Sequence, residues 1–265
     1  MSGTAVLAVI DPAEWPAPDV AVLGTVRVNG APVTAGQRAL VAALVLHRHD
    51  GASTETLIDA IWPHGAPNSA RASVQNQVAR LRRVLGAGSI VYADGRYRLA
   101  GTTDVGRMDH AVEQLNQPIG AASTPVIAAA LDLWRGVAFE DLPDDHDAQV
   151  ARVTLEQQRS ALVERLAEEW LRAARTADTT ALLRVRVAHA PFHERAWELL
   201  ITALYESDRR TEALATYAEF ETLLAERLDT TPSQRVRALR STIADERPLS
   251  TCTAAPMAHP GRQPA

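Results

Sequence analysis

Four arginines and three amide side chains lie within residues 71–83, and no acid other than Asp94 occurs between Asn68 and Gly95. A guanidinium pairs with phosphates or guanine edges, and Asn or Gln can pair with adenine. This composition predicts contact with nucleic acid. The alternative is an ordinary solvated helix face, although such faces usually mix charges of both signs.

A helix over residues 68–85 separates these polar side chains from an apolar stripe. At 100° per residue, Val74, Val78, Leu81 and Leu85 fall on one side of the helix. The opposite side is polar and rich in small residues, including Ala72 and Ala79. The candidate DNA contacts on this helix are Arg71, Ser73, Asn76, Gln77, Arg80 and Arg83.

A β-hairpin is predicted directly after this helix, because Asp94-Gly95 is a strong two-residue turn signal. The turn pairs Ile90 with Leu99 and Tyr92 with Tyr97, so these four side chains are expected to pack on the helices. Arg96 and Arg98 share the other face and are predicted to project outward, toward phosphate or the minor groove. Arg38, at the start of the first helix, is a further predicted phosphate contact.

Other reactive side chains have plainer explanations. His47 and His49 point to different helix faces, and the acids of residues 144–147 precede a long helix whose N-terminus they can cap. Cys252 is predicted to be an incidental thiol. The chain has no nucleophile elbow, glycine-rich nucleotide loop or His-Glu-x-x-His motif. We therefore expect no catalytic residue, no metal site, no cofactor and no enzymatic activity.

The amino-acid composition excludes several classes of protein. All 27 basic residues are arginine, which excludes chemistry that needs a lysine. A single cysteine allows no internal disulfide and favours a reducing, cytoplasmic location, and no apolar run resembles a signal peptide or a membrane span. The net charge of −5 argues at first against a nucleic-acid partner.

Charge is segregated along the chain. Residues 20–100 carry nine arginines and four acids, whereas residues 101–265 carry 18 arginines and 25 acids. A basic segment joined to an acidic one predicts two domains with different partners. The predicted divisions are an N-terminal extension (1–19), a DNA-binding domain (20–102), a helical domain (103–246) and a disordered tail (247–265).

The predicted fold is mainly α with a small β component: a winged helix-turn-helix domain followed by an all-α, tetratricopeptide-like domain. Helices are expected over residues 36–49, 53–62 and 68–85, and short strands before the first helix. Beyond residue 103, helical runs at 104–116, 124–135, 146–176, 179–189, 192–206, 209–228 and 232–245 are separated by Pro, Gly or Asp.

Several segments resemble one family. Residues 73–83 resemble the recognition helix of OmpR-type winged-helix domains, and together with residues 39–46, 57–62 and 95–99 they are similar to the Streptomyces antibiotic regulatory protein family. The resemblance continues through residues 131–136 and 139–143 of the second domain. Ala72 and Ala79 stand where OmpR-type helices often carry larger polar groups, and residues 1–19 have no recognised counterpart.

This resemblance implies a transcriptional activator with an OmpR-like DNA-binding domain and a bacterial transcriptional activator domain. Such proteins bind direct repeats in promoter DNA, act on secondary-metabolite gene clusters and recruit RNA polymerase through its sigma factor or alpha subunit. A homodimer on DNA is a further expectation. By resemblance to OmpR-type transactivation loops, the predicted polymerase-contact loop is Pro63, His64, Gly65, Ala66 and Pro67.

Six residues of the helical segment match the tetratricopeptide packing pattern, with offsets of 0, 3, 7, 16, 20 and 23: Trp197, Leu200, Leu204, Ala213, Tyr217 and Phe220. Ala225 stands where the pattern has its final proline. The pattern predicts a helical-repeat surface for protein contacts, while a simple helical bundle with core aromatics is the alternative. The competing function is therefore a helical protein-interaction scaffold whose winged helix binds protein instead of DNA.

Overall fold

A computed structural model describes residues 17–116 and 123–249. Residues 1–16 of the predicted extension, the tail from residue 250 and Cys252 lie outside the described residues. The mainly helical class with a small β component is confirmed. The chain divides into two compact units between Ala173 and Ala174.

The first unit begins with two small sheets and three helices. Its strands are β1 (Val20–Ala21), β2 (Arg27–Val28), β3 (Ala31–Pro32), β4 (Ala52–Ser53), β5 (Ile90–Ala93) and β6 (Arg96–Leu99). Its first helices are α1 (Ala35–Leu46), α2 (Thr54–Ile61) and α3 (Ala70–Leu85). The three helices pack against one another, and α1 also packs on β6.

Helix α1 is the centre of this arrangement. Its residues 39–45 are all buried, as expected for a helix that is apolar on every side. α3 contributes a single buried stripe of Val74, Val78 and Leu81, which leaves its opposite face in solvent. The apolar side of α3 thus packs on α1 and α2.

The predicted hairpin register is confirmed. β5 and β6 pair antiparallel, with Ile90 opposite Leu99 and Tyr92 opposite Tyr97. The short strands β3 and β4 were not predicted from the sequence. β4 joins the hairpin through Ala52 opposite Tyr97, so the second sheet has the order β4–β6–β5.

Three further helices complete the first unit: α4 (Asp104–Glu113), α5 (Ser123–Leu131) and α6 (His146–Arg172), with a 3-10 turn at Gln114–Asn116. α4 and α5 pack on α6, and α4 also packs on β1. Residues 135–142, which we call the strap, run between α5 and α6. No helix among the described residues is long and apolar enough to cross a membrane.

The second unit is a row of helices: α7 (Thr176–His189), α8 (Glu194–Glu206), α9 (Arg210–Leu228) and α10 (Gln234–Ala244). All six residues of the tetratricopeptide pattern are buried at the packing of α8 and α9. The rings of Trp197 and Phe220 stack with centroids 5.1 Å apart. The helix-pair prediction thus holds for these residues.

Candidate nucleic-acid interface

The exposed face of α3 carries the predicted base-reading side chains. Asn76, Arg80 and Arg83 are exposed, as are the small residues Ala72 and Ala79 between them. We call these five residues the basic surface. It contains no carboxylate, because α3 itself has none. Small residues beside guanidinium and amide groups allow a close approach to base edges.

The position of α3 is fixed by its ends as well as by its core stripe. The helix starts after Ser69 instead of Asn68, and it ends at Gly86, which has φ +104°. Arg82 and Arg83 lie in the last turn, where cations are favoured by the helix dipole. Arg82 donates from Nε to the carbonyl of Ile90 at 2.8 Å, which ties α3 to the hairpin.

Ser73 and Gln77 lie on the opposite flank of α3 and are half-buried. The Gln77 amide lies beside Gly36 at the start of α1, where a Cβ at Gly36 would come within 3.2 Å of Gln77 Oε1. Gln77 therefore belongs to the packing between α1 and α3, and the structure does not place it with Asn76 on the basic surface.

The two arginines of the wing lie against the turn between α1 and β4. Arg96 donates to the Gly51 carbonyl at 2.9 Å, and Arg98 donates to the Asp50 carbonyl at 3.3 Å. Gly51 has φ +77°, and a Cβ there would lie 2.9 Å from Arg98 Cγ. The glycine thus lets both arginine stems cross the turn, and one nitrogen of each guanidinium bonds to backbone.

The prediction that Tyr92 packs on the helices is wrong. Tyr92 is 54% exposed instead of packed on the helices, because β5 is the outer strand of the sheet, whereas Tyr97 lies on the central strand β6. Ile90 and Tyr97 are buried as expected, and the Tyr97 ring contacts that of Tyr92 with centroids 4.6 Å apart. Tyr92 is therefore a surface residue between the hairpin and α3.

Arg38, the predicted phosphate contact at the start of α1, makes two contacts within the protein. Its Nε lies 2.6 Å from Asp141 Oδ1, and its Nη1 donates to the Val33 carbonyl at 3.0 Å. Asp141 belongs to the strap and also accepts from the backbone N–H of Val26 at 2.8 Å. The Arg38 guanidinium is thus engaged within the protein.

The loop of residues 63–67, predicted to contact polymerase, is exposed throughout and lies between α2 and α3. The Gly65 N–H donates to the Trp62 carbonyl at 3.2 Å, and the Ala70 N–H donates to the Pro67 carbonyl at 2.9 Å. Both ends of the loop are therefore anchored while its side chains face solvent.

The strap binds the segment between β1 and β2. The Arg135 N–H donates to the Leu23 carbonyl at 2.8 Å, and the Phe139 N–H donates to the Val22 carbonyl at 2.9 Å. Glu140 accepts from the hydroxyl of Thr25. On the other side, Arg152 of α6 donates to three strap carbonyls, those of Ala138, Phe139 and Leu142.

Asp104 is the fully buried charged group of this junction. Its carboxylate accepts from the backbone N–H groups of Val22 and Leu23 at 2.8 and 2.9 Å, and Arg135 Nη2 lies 3.6 Å away. Burial raises the pKa of the Asp104 carboxyl, while those N–H groups and the Arg135 charge act in the opposite direction. The Asp104 carboxylate thus accepts the hydrogen bonds that a neighbouring strand would otherwise accept from these two backbone N–H groups.

Sequence reasoning missed Asp104, Asp141 and Glu55. Asp104 and Asp141 are separated by about 80 to 115 residues from the backbone groups they bind, so no local pattern marks them. Glu55 forms an ion pair with Arg71. Its position in the first turn of α2 is a visible signal, because it is an acid just outside an otherwise basic segment.

Among the described residues, no group of three His, Cys, Asp or Glu side chains is arranged to hold a metal ion.

Known transcriptional regulators are similar to this chain over most of its length. The family model described as "Bacterial transcriptional activator domain" matches residues 103–244. The chain is 32% identical over 252 residues to the transcriptional regulatory protein EmbR of Mycobacterium tuberculosis, covering 87% of this chain and 64% of that protein. It is 34% identical over 250 residues to the regulatory protein AfsR of Streptomyces coelicolor, of which it spans 25%.

Other relatives and a solved structure agree with these matches. The transcriptional regulator RedD of Streptomyces coelicolor is 28% identical over 255 residues, covering 87% of this chain and 71% of that protein. A structure of M. tuberculosis EmbR in complex with a low-affinity phosphopeptide superposes with a TM-score of 0.72 at 30% identity, covering 88% of this chain and 66% of that one. The chain thus spans about two thirds or less of EmbR and AfsR. With a winged-helix domain followed by a helical activator domain, the chain belongs to the Streptomyces antibiotic regulatory protein family of transcriptional regulators.

Proposed function

We propose that this protein is a sequence-specific, DNA-binding transcriptional activator that reads promoter direct repeats with α3. The observation that carries the proposal is the basic surface: an exposed, acid-free helix face that lies opposite the buried stripe of the same helix. The major groove admits an α-helix, and the hairpin beside α3 is assigned to the flanking DNA backbone.

The side chains divide into two groups of contacts. Asn76 at the centre of the basic surface is assigned to a base edge, and Arg80 and Arg83 to guanine edges or phosphates. Arg96 and Arg98 keep the wing basic and are assigned to phosphate. Arg38 and Gln77 are left out of this interface, because Arg38 is paired with Asp141 and Gln77 packs beside Gly36.

We further propose that the exposed loop of residues 63–67 contacts RNA polymerase, through its sigma factor or alpha subunit, and that the regulated genes form a secondary-metabolite cluster. The family membership and the exposure of the loop support this proposal. The location of the loop between α2 and α3 leaves it accessible beside a groove-bound α3.

A gel-shift titration with the promoter regions that flank the gene tests the proposal. We expect one fragment to be retained at salt concentrations at which mixed-sequence DNA of equal length is released, with a steep salt dependence. Binding that is equal on every fragment contradicts sequence reading. Absence of any salt-sensitive duplex binding contradicts the DNA-binding role and supports the protein-interaction scaffold.

A further inference from the structure

Arg71 does not lie with Asn76 on the basic surface. At 100° per residue, the two side chains are separated by about 140° around α3. Arg71 is on the same side as Arg82, whose guanidinium donates to the hairpin carbonyl of Ile90. Arg71 is therefore turned toward the hairpin, although its side chain is 72% exposed.

A cleft of about 310 Å³ opens on this side of α3. Its walls come from three elements: Thr54 at the start of α2, Arg71 and Gln75 on α3, and Tyr92 on the hairpin. These four side chains can all donate hydrogen bonds, and no carboxylate lines the cleft. A phosphodiester oxygen accepts hydrogen bonds only, so the donor set fits a DNA phosphate.

Glu55 stands next to this cleft and forms an ion pair with Arg71. It lies in the first turn of α2, where the helix dipole favours a carboxylate. Both partners are exposed, so the ion pair is weak and another anion can compete for the guanidinium.

We propose that Arg71 binds a DNA phosphate in this cleft, and that Glu55 competes for the same guanidinium. Glu55 then sets the sequence-independent part of the affinity: it holds Arg71 in the free protein and must release it when DNA binds. This inference rests on the proposed DNA-binding function and adds to it a residue that opposes binding.

The test is a double-mutant cycle on the full chain, with fluorescence anisotropy of a labelled mixed-sequence duplex as the readout. The variants are Glu55→Gln, Arg71→Ala and the double variant. Asp59→Asn is the matched control, because Asp59 is an exposed acid one turn further along α2. Since all three positions are exposed, each variant is expected to melt like the wild type by circular dichroism.

We expect Glu55→Gln to bind about two- to fivefold more tightly than the wild type. Arg71→Ala is expected to bind more weakly, with a log–log salt slope that is smaller by about one. In the Arg71→Ala background, the Glu55→Gln gain is expected to disappear. Asp59→Asn is expected to show a smaller gain, which persists without Arg71.

Two results overturn the inference while leaving DNA binding intact: a Glu55→Gln affinity no higher than that of Asp59→Asn, or a gain that persists in the Arg71→Ala background. The second result would mean that Glu55 acts by general repulsion alone. If the wild type itself binds no duplex at low salt, both the inference and the proposed function fail.

Discussion

Asn76 lies at the centre of the exposed face of α3, between the small residues Ala72 and Ala79. An asparagine amide can donate and accept at once, so it can bond to both groups on the major-groove edge of adenine. Because its neighbours on this face are small, a base pair can reach the amide without displacing a bulky side chain.

Asn76→Ala is expected to weaken binding to the promoter fragment retained in the gel shift by about 1–3 kcal/mol. The affinity for mixed-sequence DNA is expected to change little, because the side chain carries no charge. Competition titrations with single-base variants of the site would locate the relaxed position. Equal losses on promoter and mixed-sequence DNA would contradict a base-reading role.

Asp104 is expected to stabilise the fold and not to contact DNA, because it is fully buried. Asp104→Ala leaves the buried N–H groups of Val22 and Leu23 without their acceptor. At about 1–3 kcal/mol for each orphaned donor, the variant is expected to lose roughly 3–5 kcal/mol of unfolding free energy. Urea denaturation measures this loss, and a loss below that of a typical surface substitution would contradict the role.

The raised pKa of Asp104 also predicts a pH dependence. The folded protein holds this proton more tightly than the unfolded chain, so the carboxyl adds to the unfolding free energy at low pH. That contribution is lost as the pH rises from the ordinary Asp range through the raised pKa. The difference between wild type and Asp104→Asn, measured at several pH values, isolates it, and a difference that grows with pH would contradict the sign.

The strap is the element that joins the winged helix to the following helices. Gly24 makes this possible: it has φ +118°, and a Cβ there would lie 2.9 Å from the Gly136 nitrogen. Backbone cannot move away as a flexible side chain can. The close approach of these two segments therefore requires glycine at position 24.

Gly24→Ala is expected to cost roughly 3 kcal/mol or more, because backbone strain and a backbone clash add together. Gly30→Ala is the matched control. It also has a positive φ, of +74°, but nothing lies within 4 Å of its added Cβ, so only the strain of about 1–2 kcal/mol is expected. Thermal unfolding of the two variants compares them directly, and equal shifts in Tm would contradict a tight strap contact.

The wing is an element whose basic charge is predicted to act without regard to sequence. Arg98→Ala is expected to weaken binding to every duplex by a similar factor and to reduce the salt slope by about one. Anisotropy titrations at several salt concentrations measure both quantities. An unchanged slope would mean that the hydrogen bond from Arg98 to Asp50 holds the guanidinium away from phosphate.

The elements differ in how far the sequence predicts them. Asp94-Gly95 sets the wing register locally, and Pro63 and Gly86 mark the ends of α2 and α3, so these features follow from short patterns. β4 pairs with β6 across more than 40 residues, and Asp141 meets Val26 across 115, so neither contact has a local pattern. The exposure of Tyr92 was not predicted for another reason. The alternation of side chains along a strand predicts which face of the hairpin Tyr92 lies on, but not how far the helices extend beneath that face.

At the scale of the whole molecule, the start of the family match does not coincide with the boundary between the two compact units. The family match begins at residue 103, yet α4–α6 and the strap belong to the same compact unit as the winged helix. Val22 and Leu23 are fully buried, and their backbone groups bond to Asp104, Arg135 and Phe139. The winged helix and the helices α4–α6 therefore support each other.

This arrangement predicts the behaviour of fragments. Residues 17–102 alone leave the donors of Val22, Leu23 and Val26 unpaired and are expected to unfold without a cooperative transition. Residues 17–173 retain these partners and are expected to unfold cooperatively. Urea titrations followed by tryptophan fluorescence and circular dichroism compare the two fragments. A cooperative transition in the shorter fragment would contradict the mutual support.

The sheet β1–β2–β3 has two edges, and each is closed by a different means. On the β1 side, Val20 forms a parallel bridge with Thr103, and Leu23, just beyond β1, forms an antiparallel bridge with Ala138 of the strap. β3 ends in Pro32, which has no N–H to offer another strand. Unprotected strand edges pair with other chains and start aggregation. The strap that ties the winged helix to the following helices therefore also helps to shield the protein from self-association, and variants that loosen it are expected to precipitate before they lose their helices.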